Sequence, residues 1–93
     1  MVDLKKRRHE ILSAATRHGA VNVRVFGSVA RGDANAASDL DLLVEWQPGR
    51  SLLDHVRLVQ DLEQLLSMKI HIGREKSLHW YVRDTILREA KPL

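Results

Sequence analysis

Residues 25–46 read VFGSVARGDANAASDLDLLVEW. The pair Gly27-Ser28 closes one apolar run, and two aspartates one residue apart, Asp39 and Asp41, open the next. Side chains alternate along a strand, so Asp39 and Asp41 project to one face while Leu40, Leu42 and Val44 project to the other, into a core. Two like charges held on one face repel each other. An amphipathic strand with its polar face in water, preceded by an ordinary glycine turn, is one way to accommodate them. The other is chemical. A glycine directly after a strand lets the backbone approach a phosphate closely, and the following N–H groups together with Ser28 Oγ can donate to it. Mg²⁺ is a hard cation that takes one or two carboxylates plus substrate phosphates. Paired carboxylates opposite a phosphate-cradling loop are what a magnesium–nucleotide site requires, and the ion would remove the repulsion between Asp39 and Asp41.

The rest of the chain frames this segment. Leu4 to His18 reads as a helix with Leu4, Ile11, Leu12 and Ala15 on one face, Asp3 as its cap and Gly19 as its stop. Val21 to Phe26 alternates and is β-branched, so it reads as a strand; Gly27 to Ser38 is loop or a turn of helix. Leu40 to Trp46 is a second strand and Gln47 to Gly49 a turn. Ser51 and Asp54 resemble a capping box for a helix from Leu52 to Leu66, whose stripe is Leu52, Val56, Val59, Leu62, Leu65 and Leu66. Lys69 to Gly73 is a short third strand, and a last helix runs from Ser77 to about Ala90, before Pro92, with Leu78, Val82 and Ile86 toward the core. The order α-β-β-α-β-α predicts one α+β domain over residues 1–93, a three-stranded mixed sheet with helices packed on it.

Composition narrows the class. With 93 residues, 44% of them apolar and 29% charged, the chain has the proportions of one ordinary globular domain and buries roughly 60–65% of its unfolded surface. It has no cysteine, which excludes disulfides and thiolate chemistry and suits a cytoplasmic setting. No apolar stretch follows the charged segment Lys5 to Arg8 as a signal peptide would, and none is long enough to span a membrane. The net charge of +3 permits an anionic ligand. The run Lys5 to His9 circles a helix without interleaved aromatic residues, so it reads as a solvated helix face rather than a nucleic-acid patch. His9, His18, His55 and His79 share no ligand spacing.

Gly27-Ser28, ten intervening residues and Asp39-Leu40-Asp41 match the signature of the DNA polymerase β-like nucleotidyltransferases. The fuller text, with the final EKSLHWYVRDTILREAKPL, resembles the minimal nucleotidyltransferase branch of that family over essentially the whole chain. The resemblance implies transfer of a nucleoside monophosphate from a nucleoside triphosphate, ATP, to a hydroxyl. Carried over by position, Gly27 and Ser28 would hold the triphosphate and Asp39 and Asp41 would ligate Mg²⁺, with Mn²⁺ an alternative. Arg31 could reach a phosphate or be a solvated loop charge; Asp33 and Ser38 read as loop and cap residues. Small proteins of this branch resemble antitoxins that adenylylate a tyrosine of a helical HEPN-type ribonuclease toxin. A chain this short has no room for a domain that holds the acceptor, so a protein partner is expected.

The sequence departs from the family at one position. A third carboxylate is expected on the third strand, where this chain has His71. By alternation Lys69 and His71 share a face, which turns His71 toward Asp39 and Asp41. The imidazole could favour a softer metal than Mg²⁺, could take the acceptor's proton, or could mark a crippled site in a protein that acts by contact alone. Trp80 and Tyr81 open the last helix; Trp80 is either an interface anchor or a cover for the edge of the core.

Overall fold

A computed structural model describes residues 4–33 and 39–93. The helix α1 (Leu4–Arg17) leads through Gly19, at φ 84°, into β1 (Ala20–Phe26). A one-turn helix α2 (Gly27–Arg31) follows and stops at Gly32, also at positive φ. Then come β2 (Leu40–Trp46), α3 (Leu52–Leu66), β3 (Ile70–Gly73), a 3₁₀ turn at Glu75–Ser77, α4 (Trp80–Glu89) and a two-residue strand β4 (Lys91–Pro92). The expected order of helices and strands is present. The expected cap Asp3 and loop residue Ser38 lie outside the described residues.

The sheet is mixed and has four strands in the order β3-β2-β1-β4, one more than expected. The added strand is β4, in which Lys91 and Pro92 pair antiparallel with Val25 and Arg24. A proline lacks the N–H for a central ladder, but at a sheet edge it is tolerated. β1 and β2 are antiparallel, and β2 and β3 parallel, joined by α3 as the crossover.

One face of the sheet carries the core: Val23, Val25, Leu40, Leu42, Val44, Ile70 and Ile72, covered by Ile11, Ala14 and Ala15 of α1 and Leu58, Leu62 and Leu66 of α3. Two expected stripes are corrected here. In α3 the buried positions are Leu58, Leu62 and Leu66, at i, i+4 spacing, while Leu52 (77% exposed) and Val56 face solvent. The apolar residues at the start of α3 lie outside the core, with Leu52 lining a concavity beside Trp46 and His55. In α4, Val82 is exposed and no residue is fully buried. The helix begins at Trp80, later than expected, because Leu78 and His79 are extended and His79 Nδ1 caps the Tyr81 N–H.

The helix caps and charges follow the local chemistry. Ser51 and Asp54 form the expected capping box, with the Ser51 N–H donating to Asp54 Oδ2 at 2.9 Å. That bond, with Arg50 nearby, lowers the Asp54 pKa. In the basic run, Arg7 donates to the Leu65 carbonyl at 2.9 Å and pairs with Glu10, tying α1 to α3. His18 and Asp61 join the same two helices at 2.6 Å. No helix among the described residues is long and apolar enough to cross a membrane.

A bulge in β1 sets which side chains face the site. Asn22 has φ 52°, and the β1–β2 register shifts by one residue between Val21 and Arg24. Val21 is therefore exposed although Val23 and Val25 are buried. The shift also places Phe26 opposite Asp41 and Arg24 opposite Leu43.

Candidate functional site

The face of the sheet turned away from the core gathers the residues singled out by sequence. Asp41 lies between its ladder partners Phe26 of β1 and His71 of β3. Parallel pairing in this register puts His71 on the side of the two aspartates, as alternation predicts. Its Nε2 stands 2.8 Å from Asp39 Oδ2, both side chains about half exposed. The three residues therefore form one cluster at the start of β2 and β3.

Gly27 closes the cluster from the other side. Its φ is 75°, a conformation that costs an L side chain roughly 1–2 kcal/mol. A Cβ added there would overlap Asp41 Oδ2 and stand 3.2 Å from Asp41 Cγ. Glycine is required twice over, by backbone conformation and by the approach of the loop to the carboxylate. Ser28 is half-buried in the first turn of α2, its carbonyl accepting from the Asp33 N–H at 3.1 Å.

Arg31, at the end of α2, is exposed and pairs with Asp33 and with Glu89 of α4, both at 3.3 Å. Asp33, and more weakly Glu89, raise its pKa. Exposed pairs of this kind are weak, so Arg31 can exchange a carboxylate for a phosphate at little cost. Glu89 was not legible from sequence, where nothing but the fold brings it to Arg31.

Burial raises the Asp41 pKa; His71 opposes that shift, Asp39 adds to it, and Arg31 opposes it. A carboxylate with a raised folded pKa binds protons more readily folded than unfolded. Its favourable contribution is complete below the unfolded pKa and is lost as pH rises through the folded value. At neutral pH the charged Asp41 is therefore a cost to the fold. Asp41→Asn should raise the Tm at neutral pH, and only slightly, because the carboxylate is partly buried and screened by solvent. The gain should shrink as pH falls below the ordinary carboxylate range; thermal unfolding across pH measures both.

The donor set fits a divalent ion. Asp39 and Asp41 offer hard oxygen donors on one face, and the loop at Gly27 leaves the space beside Asp41 free of side chain. Among the described residues no group of three or more His, Cys, Asp or Glu could by itself hold a metal ion.

A groove of about 500 Å³ lies between α2 and α4, lined by Phe26, Gly27, Arg31, Tyr81, Thr85 and Glu89 among others. It borders the cluster at Gly27, which abuts Asp41, while Asp39, Asp41 and His71 do not line it. Another concavity, of about 410 Å³, lies at the far end of β2 and β3 beside Trp46, Arg50, His55 and Arg74. None of the motif residues lines it. Trp80 is 79% exposed and so does not cover the core.

Three comparisons bear on this arrangement. A profile of the nucleotidyltransferase domain matches residues 8–93. Protein adenylyltransferase MntA of Thermococcus cleftensis is 38% identical over 74 residues, covering 80% of this chain and 75% of that protein. A solved structure, provisionally described as a minimal nucleotidyltransferase, is 56% identical and superposes with a TM-score of 0.86 over 97% of this chain and 92% of that one. A chain of a toxin–antitoxin complex solved with AMP-PNP shares the fold, with a TM-score of 0.76, 17% identity, and coverage of 90% of this chain and 69% of that one. The matched region contains Gly27, Ser28, Asp39, Asp41 and His71, and the chain belongs to the nucleotidyltransferase family, as a minimal member of it.

Proposed function

We propose that the protein is a metal-dependent protein adenylyltransferase and an antitoxin, moving AMP from ATP to a hydroxyl, a tyrosine, of a HEPN-type helical toxin. The observation that carries this reading is the close approach of Gly27 to Asp41, with His71, the ladder partner of Asp41, bonded to Asp39 beside it. The related protein named an adenylyltransferase, and the fold shared with a toxin–antitoxin complex holding a nucleotide analogue, support the choice of acceptor and partner.

In this reading Asp39 and Asp41 hold Mg²⁺ or Mn²⁺, which when bound neutralises charge on the phosphates. Ser28 and the backbone at Gly27 position the triphosphate, and Arg31 leaves Glu89 for a phosphate oxygen. His71, beside Asp39, would take the proton from the acceptor hydroxyl as a general base. The groove beside α4 leaves the cluster open to a large acceptor.

A specific observation favours a second reading. His71 occupies the place of a third carboxylate and engages Asp39, which would suit an impaired enzyme that neutralises its toxin by contact. Incubation of the protein with ATP, metal and its purified partner, followed by intact-mass measurement, separates the two. The adenylyltransferase adds the mass of AMP to the partner; a stable complex that blocks the toxin with no mass change defeats the transfer reading. His71→Asp tests the departure. With Mg²⁺ the added hard ligand should raise the transfer rate severalfold. A fall instead assigns the imidazole a role of its own in moving the proton.

A further inference from the structure

We propose that Tyr81 is a self-modification site, adenylylated by the protein itself when no partner occupies the groove. The proposal rests on the protein-adenylyltransferase reading above. An enzyme that uses protein hydroxyls as acceptors will use one of its own if that hydroxyl is exposed and borders the reacting phosphate. Tyr81 is the chain's single tyrosine, and it is 75% exposed. It lines the same groove as Gly27 and Arg31, and Gly27 in turn abuts Asp41. Trp80 meets its ring edge-on at a centroid distance of 5.8 Å, which limits where the ring can swing.

The groove offers one other hydroxyl, Thr85, one helical turn further along α4. The phenol is the better acceptor. Phenols are more acidic than alkyl alcohols, so a phenolic oxyanion forms more readily. Tyr81 also carries its hydroxyl on a longer side chain than Thr85 and is 75% exposed.

In the reaction, Tyr81 Oη bonds to the α-phosphorus of ATP as the anhydride bond between the α and β phosphates breaks. The bonding electrons leave with pyrophosphate, and the phenolic proton passes to water. The product carries AMP through a phosphodiester, adding one negative charge and an adenosine at the groove mouth. That charge would lie on the side of Arg31, which lines the same groove.

The test uses the full chain with ATP and Mg²⁺ or Mn²⁺, without partner, read by intact mass and peptide mapping. One adenylyl group per chain is expected, on the peptide containing Tyr81. It should be lost in Tyr81→Phe and kept in Thr85→Val. Both positions are exposed, so neither variant is expected to unfold, and circular dichroism with titration of ATP checks that each keeps its fold and binds nucleotide. A preparation that labels its partner but leaves Tyr81 unmodified overturns the inference alone. Labelling that persists in Tyr81→Phe also overturns it. Failure to label either protein overturns the transferase reading and the inference with it.

Discussion

Replacing both aspartates, Asp39→Asn with Asp41→Asn, should remove adenylyl transfer while leaving the fold intact. Loss of a single preorganised group that stabilises developing charge typically costs about 10²–10³ in rate. In the proposed mechanism the two carboxylates together hold the metal, so their loss should cost at least that much, on the order of 10³-fold. The structure says why the fold survives. Asp39 is about half exposed and, among the described residues, loses an exposed bond to His71, worth roughly 0–1 kcal/mol. Asp41 loses a charge that partial burial already opposes. Circular dichroism and thermal unfolding should therefore match the wild type within a few degrees, and ATP titrated calorimetrically with Mg²⁺ should show metal-dependent binding that the double variant lacks. Undiminished labelling of the partner by the double variant would refute the mechanism.

Gly27→Ala should harm both the fold and the chemistry. The methyl group must adopt φ 75° and overlaps the Asp41 carboxylate, so either the loop or Asp41 moves. The conformational part alone costs roughly 1–2 kcal/mol. Displacing a reactive group by about 1 Å can cost on the order of 10²-fold in rate. The two contributions separate in a double-mutant cycle. Adding Asp41→Ala removes the overlap but not the backbone strain, so it should return part of the lost stability and none of the activity. Strict additivity of the two stability changes would show that Gly27 and Asp41 do not meet as described.

The fold and the cluster differed in how far sequence could reach them. The aspartates, the Gly-Ser loop and the orientation of His71 all rest on strand alternation and a spacing, which are local properties of the chain. The bulge at Asn22 is not local in that sense. VNVRVF alternates throughout, yet Val21 is exposed and Val23 buried, because one residue is absorbed in a left-handed conformation. The stripes of α3 and α4 failed for a different reason. Periodicity shows which residues could be buried together, not whether another element covers them, and nothing covers Leu52 or Val82. β4 is too short to carry a pattern; it exists because the edge of β1 is there to receive it. The pairing of Arg31 with Glu89 spans 58 residues and no spacing rule reaches that far.

The crossover through α3 also has a kinetic side. Gly27 and Asp41, 14 positions apart by number, meet when two antiparallel neighbours zip together. Asp39 and His71 are 32 apart and meet only when β3 docks in parallel beside β2. Doubling a loop costs only about 0.6 kcal/mol of closure entropy, so length alone does not order these events. The crossover bears on their order, because β3 follows α3 in the chain and its pairing with β2 is parallel and non-local. Parallel, non-local pairings of this kind form late in folding. A chain caught between the two events would carry the paired aspartates and the glycine loop without their histidine. It would bind nucleotide before it could finish the work, and the imidazole would be the last part of the site to arrive.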